Sequence, residues 1–207
     1  MVRLITILVL MVCSTLIAQT QYDQGMQKAF GLWKEGRNSE AAALFERISS
    51  AEKDNWLPSY YVALINTIQA FEAQDKKQIS ALLEKAQAAQ DNADMISPNN
   101  PELMVTQALI HTAWIVYDPM ANGMTMSGKA NALYNKALAI APDNPRVVLN
   151  KAEFDMGSAA YFGKDTKPMC AQVERAISLF ATFKPESAYH PKWGLERAQE
   201  VLKQCKQ

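Results

Sequence analysis

Histidine, cysteine and glycine are scarce in this 207-residue chain, which has two, three and eight of them. So few histidines and cysteines leave little material for a metal centre. So few glycines, with no stretch alternating at a period of two, argue against a sheet built from tight hairpins. Neither sign of charge is in excess. Twenty-one Lys and Arg face twenty-one Asp and Glu, so the basic surplus needed to grip a phosphate backbone is missing and a nucleic-acid partner is disfavoured. Apolar residues are abundant, at 49% with 9% aromatics, which is enough to bury a core and to exclude wholesale disorder. The length suits one or two domains.

Long apolar runs are also missing, with one exception. Leu4 to Val12 is interrupted only by Thr6, follows the basic start Met1-Val2-Arg3, and gives way to Cys13-Ser14-Thr15 and the small-residue stretch Ala18-Gln19-Thr20. This is the order of a secretory signal peptide, expected over 1–18 and leaving 19–207 as the folded domain. The run falls short of the ~20 apolar residues a membrane span needs, and nothing later reaches that length. Val12 stands where a lipobox has a small residue, which speaks against lipidation of Cys13. The expectation is an exported chain, periplasmic or secreted, with no membrane span; a cytoplasmic helix over 1–18 is the competing reading.

A repeating ruler organises the rest. Pro98-Asn99-Asn100-Pro101 and Pro142-Asp143-Asn144-Pro145 place Asn100 and Asn144 44 residues apart, and Asn55 lies 45 before Asn100. Each Asn-Pro pair reads as an N-cap followed by proline at the first helical position. Small residues keep the same step: Ala29, Ala63, Ala108 and Ala152 are spaced by 34, 45 and 44. Between these marks the apolar period is helical, as in Ala41, Leu44, Phe45, Ile48 and again in Ala130, Leu133, Tyr134, Ala137, Leu138. Nine helices are expected, roughly 22–35, 39–50, 56–73, 76–95, 101–117, 126–141, 145–162, 168–184 and 191–206. Short connections make successive helices antiparallel neighbours, so the expected fold class is all-α, a helical-hairpin solenoid of about four hairpins plus a C-terminal capping helix. Asp118 to Ser127 reads as a loop inserted between two helices.

The segment from Ala130 through Tyr134, Ala137, Leu138 and Pro142 to Asn144-Pro145 resembles the second helix and exit of a tetratricopeptide repeat (TPR). The first repeat keeps that family's 34-residue step, with Gly36 at its turn. The closing stretch, from Phe162-Gly163 through Pro168-Met169-Cys170 to Cys205, resembles exported bacterial TPR proteins of unassigned activity. The later 44–45-residue steps exceed the family's length, and HEAT-like repeats of about 40–47 residues are the alternative.

Behind the leader only Cys170 and Cys205 remain. Folding 168–184 against 191–206 as an antiparallel hairpin sets Cys170 opposite Cys205, Val173 opposite Leu202, Ile177 opposite Ala198 and Phe180 opposite Leu195. An exported chain sits in an oxidising compartment, so these two thiols are expected to form a disulfide; inert buried thiols are the other reading.

Nothing marks an enzyme. The nucleophile-elbow, zinc-protease, P-loop and dinucleotide motifs are all missing. His111 lies among Leu109, Ile110, Ala113 and Trp114 and reads as a core-flanking side chain, and His190 as part of the lead into the last helix. Carboxylates such as Glu46 and Asp54 read as solvated. Met120, Met124 and Met126 offer soft sulfur, but packing is the simpler reading. No cofactor is expected.

The resemblance instead implies a concave groove lined by the first helix of each hairpin. Counted from the marker alanines, its candidates are Met26, Phe30, Trp33, Tyr60, Leu64, Val105, Leu109 and Leu149, with Glu153, Thr67, Thr112 and Met156 beside them. Arg146 and Asn150, one turn apart, are a fragment of the carboxylate clamp some family members use. A mainly apolar, aromatic lining suits capture of a protein or peptide segment. The expected function is an exported protein-interaction scaffold. A structural subunit of an envelope assembly is the alternative, and a metal-handling protein or an enzyme of unrecognised type a further one.

Overall fold

The computed structural model describes residues 20–205, so the expected leader lies outside the described residues. Nine helices and no strand occur among them. They are α1 (20–34), α2 (Asn38–Ala51), α3 (Trp56–Glu72), α4 (Lys76–Ile96), α5 (Pro101–Tyr117), α6 (Pro119–Ile140), α7 (Pro145–Tyr161), α8 (Lys167–Thr182) and α9 (Leu195–Cys205). No described helix is long and apolar enough to cross a membrane.

The asparagine ruler is a set of N-caps. The Asn55 side chain accepts from Leu57 N–H, Asn100 from Glu102 N–H, and Asn144 from Arg146 and Val147 N–H. Each satisfies donors that a helix start leaves unpaired. Capped this way, α3, α5 and α7 begin in register and contact one another in order, each packed on its own second helix. The marker alanines are core positions: Ala29 on α1, Ala63 on α3 and Ala108 on α5 are fully buried and Ala152 on α7 nearly so. A missing side chain beyond Cβ lets neighbouring helices approach closely. The core runs from the first two hairpins through α5–α7 to α7–α9. The all-α hairpin solenoid expected from the period is the observed fold.

Two expectations need correction. Asp118 to Ser127 is not an inserted loop, because α6 begins at Pro119. Asp118 both closes α5, its N–H donating to the Trp114 carbonyl, and caps α6, its carboxylate accepting from Ala121 N–H at 3.0 Å. The extra residues lengthen a helix. The second correction concerns the turn before the last helix. α9 starts at Leu195 rather than Pro191, so residues 183–194 form an irregular segment joining α8 to α9. Gly194, at φ +114°, ends that segment, and a Cβ there would lie 2.7 Å from Phe180 Cζ.

α8 and α9 do form the antiparallel pair, and Cys170 and Cys205 are bonded as a disulfide with Cα atoms 5.9 Å apart. Closing a loop of 35 residues stabilises by about 4 kcal/mol in the chain-entropy account. That loop contains the whole 183–194 segment.

Candidate functional site

The first helices turn one stripe of side chains to a common face. By helical spacing the stripe is Met26, Phe30 and Trp33 on α1, and Tyr60, Leu64, Ile68 and Phe71 on α3. It continues as Val105, Leu109, Thr112 and Val116 on α5, then Leu149, Glu153 and Met156 on α7. Burial changes steadily along it. Tyr60, Val105 and Leu149 have no exposed surface, Ile68, Leu109 and Met156 are half-buried, and Phe71 and Val116 are 41% and 62% exposed.

Over α1 and α3 the cover is the 183–194 segment, which lies across the face like a strap, whereas Leu149 of α7 is packed by α8 and α9. Tyr189 stacks on Phe30 with planes 10° apart and meets Tyr22 edge-on. Its carbonyl accepts from Tyr61 Oη–H at 2.7 Å, while its own hydroxyl donates to the Asp23 carbonyl at 3.2 Å. Trp193 donates from Nε1 to Tyr60 Oη at 2.7 Å. Burial pushes the Tyr60 and Tyr61 hydroxyls well above the usual phenol range, so both stay neutral. The strap thus ties the last hairpin to the first two.

Beneath it lies a buried ion pair. Glu102 accepts from Arg146 through Nε at 2.7 Å and Nη2 at 2.6 Å, and from Asn144 Nδ2 at 2.6 Å. Strap residue His190 brings Nε2 to 3.6 Å from the same carboxylate. Burial would push the Glu102 carboxyl up, but the bonds from Arg146, His190 and Asn144 outweigh it and hold it down at about 2. The remaining Arg146 nitrogen, Nη1, has no hydrogen-bond partner among the described residues, and the guanidinium lies 4.5 Å from the Phe183 ring centre.

The sequence-derived candidates therefore divide. Met26, Tyr60, Leu64, Val105, Leu149, Arg146 and Asn150 are buried. Of the expected clamp, Arg146 holds a carboxylate supplied by the chain itself, and Asn150 Nδ2 donates to the Arg146 carbonyl. Phe30, Trp33 and Leu109 are all half-buried, Phe30 under the Tyr189 ring. Periodicity alone reaches three more members of the stripe, Ile68, Phe71 and Val116. The strap residues Tyr189 and Trp193 carry no local signal.

By helical spacing the open half holds an apolar strip of Ile68, Phe71, Leu109, Val116 and Met156, with Trp33, whose ring meets Phe30 and Tyr61, at its boundary with the covered half. Trp193 of the strap and Leu109 both pack against the same two parts of the core. The strip's polar edge is on the α7 side, where Glu153 Oε1 accepts from Arg197 Nε of α9 at 2.7 Å. Burial pushes the Glu153 carboxyl up, and Arg197 opposes this. Two clefts lie away from the strip. One, of about 390 Å³, is lined mainly by small and polar residues of α2, α3 and α4; the other, of about 430 Å³, opens beside Glu102 and His190.

His111 is half-buried on α5, its Nδ1 has no partner among the described residues, and burial and then Lys129 push its pKa down. Met120, Met124 and Met126 lie on α6. Among the described residues no three His, Cys, Asp or Glu side chains gather as a metal site would require.

Fold and face together define a helical-hairpin scaffold with one covered and one open half. No protein-family model matches the chain, and no curated protein does. Among solved structures, it is similar to the HusA haemophore from Porphyromonas gingivalis, with a TM-score of 0.78 and 24% identity over 89% of this chain and 92% of that one. A thermophilic TPR protein in Thermus thermophilus has a TM-score of 0.41 and 15% identity, over 89% of this chain and 98% of that one.

Proposed function

We propose that this chain is an exported, non-catalytic carrier that holds haem, or a closely related flat tetrapyrrole, on the open half of its first-helix face. The observation that carries this reading is the strip itself. A well-packed solenoid leaves Phe71 and Val116 exposed beside half-buried Ile68 and Leu109, on the same face that elsewhere buries Met26, Tyr60, Leu64, Val105 and Leu149. Flat apolar ligands bind by covering such surfaces, and aromatic floors favour planar rings. The likeness to the HusA haemophore over 89% of this chain supports the choice of ligand. Export is supported by the apolar run ahead of the domain and by the Cys170–Cys205 bond.

Titrating haem into the purified protein is expected to give a saturable change in the Soret band at one haem per chain. Phe71→Glu together with Val116→Glu is expected to weaken that binding at least ~10-fold by burying charge against the ring, with an unchanged circular-dichroism spectrum. A wild-type titration that never saturates would falsify the proposal, and so would equal affinity in the double variant.

A second reading keeps the TPR resemblance: the strip takes an extended segment of a protein partner. It is favoured by the strap, an irregular stretch of chain already seated on the other half of the same face. A partner captured equally well by the Phe71→Glu, Val116→Glu variant would exclude this strip as its site.

A further inference from the structure

We infer that Arg197 is the carboxylate-recognition residue of the open half, receiving an acid group of the bound ligand in exchange for its present partner Glu153. The inference rests on the carrier reading above and adds the chemistry that would orient the ligand.

The strip is short of charge. Its stripe positions on α3 and α5, namely Ile68, Phe71, Leu109, Thr112 and Val116, carry none. On α7 the stripe changes character at Glu153, and the cation that meets it comes from a different helix. α9 packs on α8, and its buried Ala198 and Val201 share one core cluster with Val173 and Ala176 of α8 and with Val148, Leu149 and Ala152 of α7. The bond from Nε to Glu153 is what brings Arg197, the neighbour of Ala198, beside that stripe position.

The two arginine–carboxylate pairs of this face differ in a way that matters for exchange. Arg146 reaches Glu102 with two nitrogens, and both side chains are almost wholly buried. Arg197 reaches Glu153 with Nε alone. Its side chain is 53% exposed, and its Nη1 is 3.6 Å from Glu200, itself an exposed residue. A guanidinium held by one bond still has a second edge to offer, and a carboxylate approaching from solvent can take it in the bidentate geometry arginine favours. Glu153 is the member that gives way. Burial already pushes its carboxyl up, which lowers the cost of leaving it uncharged when Arg197 turns to another acid. The ligand class that satisfies both features is a flat apolar ring bearing carboxylates on one edge, with the ring over Leu109 and Val116 and an acid at Arg197.

The test compares protoporphyrin IX with its dimethyl ester, which has the same ring and no free acid, by quenching of tryptophan fluorescence. Wild-type protein is expected to prefer the free acid. Arg197→Met is expected to weaken free-acid binding about tenfold while leaving ester binding unchanged, and Glu153→Gln to strengthen free-acid binding by releasing Arg197. If Arg197→Met weakens acid and ester equally, or neither, the role given to Arg197 is overturned while the carrier reading stands. If wild-type protein binds neither compound, the carrier reading fails and this inference falls with it. Both substitutions are at partly exposed positions on the rim, and the ester control separates a lost contact from a damaged fold.

Discussion

The two halves of the first-helix face are built from the same kind of side chain and treated oppositely. In one half, aromatic and aliphatic residues lie under a strap of the chain's own making, hydrogen-bonded to it and underlain by a buried ion pair. In the other, residues of the same stripe, up to three turns further along the same helices, meet solvent. Tyr60 and Phe71 are both on α3, yet one has no exposed surface and the other is 41% exposed. Hydrophobicity alone does not mark a binding surface. What separates the halves is whether the chain has spent its own residues covering them, so substitutions under the strap should change stability and those in the open half should change affinity.

The largest effect should come from Glu102→Gln. The substitution leaves Arg146 buried with its charge unanswered, and removing one partner of a buried pair typically costs about 3–5 kcal/mol. Urea unfolding checks this, and a loss below ~1 kcal/mol would show that the pair does little to hold the covered half. Acid gives a second handle on the same group. The carboxyl is held at about 2 in the folded chain against an ordinary value of 4.5, so its contribution is full above 4.5 and lost as pH falls from there through about 2. Wild-type stability should therefore drop by about 3 kcal/mol across that window, and the Glu102→Gln protein should lack that part of the drop.

Gly194→Ala comes next. At φ +114° a side chain is strained whatever the space, and here the added Cβ would also meet the Phe180 ring at 2.7 Å. A cost of about 2 kcal/mol is expected, read as a lower urea midpoint. Because Gly194 sets where the strap ends and α9 begins, fluorescence of Trp193 should shift with it. An unshifted spectrum at full stability would mean that the strap does not depend on that backbone geometry.

The residues explain which parts of this are legible in advance. Asn100-Pro101 and Asn144-Pro145 announce their helices because a cap and its proline act within four residues, and the Cys170–Cys205 pair follows from the register of two antiparallel helices. Asp118-Pro119 carries the same capping signal, but Gly123, Thr125 and Gly128 behind it have the composition of a loop, and the packing of α6 on α5 overrides that local preference. The strap is hidden for a stronger reason. Its bonds to Tyr61, Tyr60 and Asp23 span 128, 133 and 166 residues, and no periodicity or turn preference in 183–194 records so distant a partner. The stripe of candidates is therefore readable from the residues while its division into covered and open halves is not.

The smallest expected stability change belongs to the open half and tests the comparison most sharply. Val116 is 62% exposed near the end of α5, so Val116→Ala removes little buried surface, and alanine favours a helix at least as well as valine does. The shift in unfolding free energy should stay within about 0.5 kcal/mol of zero. If this face is a carrier's surface, the same change strips two methyl groups from the contact with the ring and weakens haem binding several-fold, by roughly 1 kcal/mol. Glu102→Gln should show the reverse pattern, with a large stability loss and, in the fraction that remains folded, little change in affinity. Should both variants lose affinity and stability in the same proportion, the two halves would be acting as one cooperative unit, and the strap would belong to the binding site.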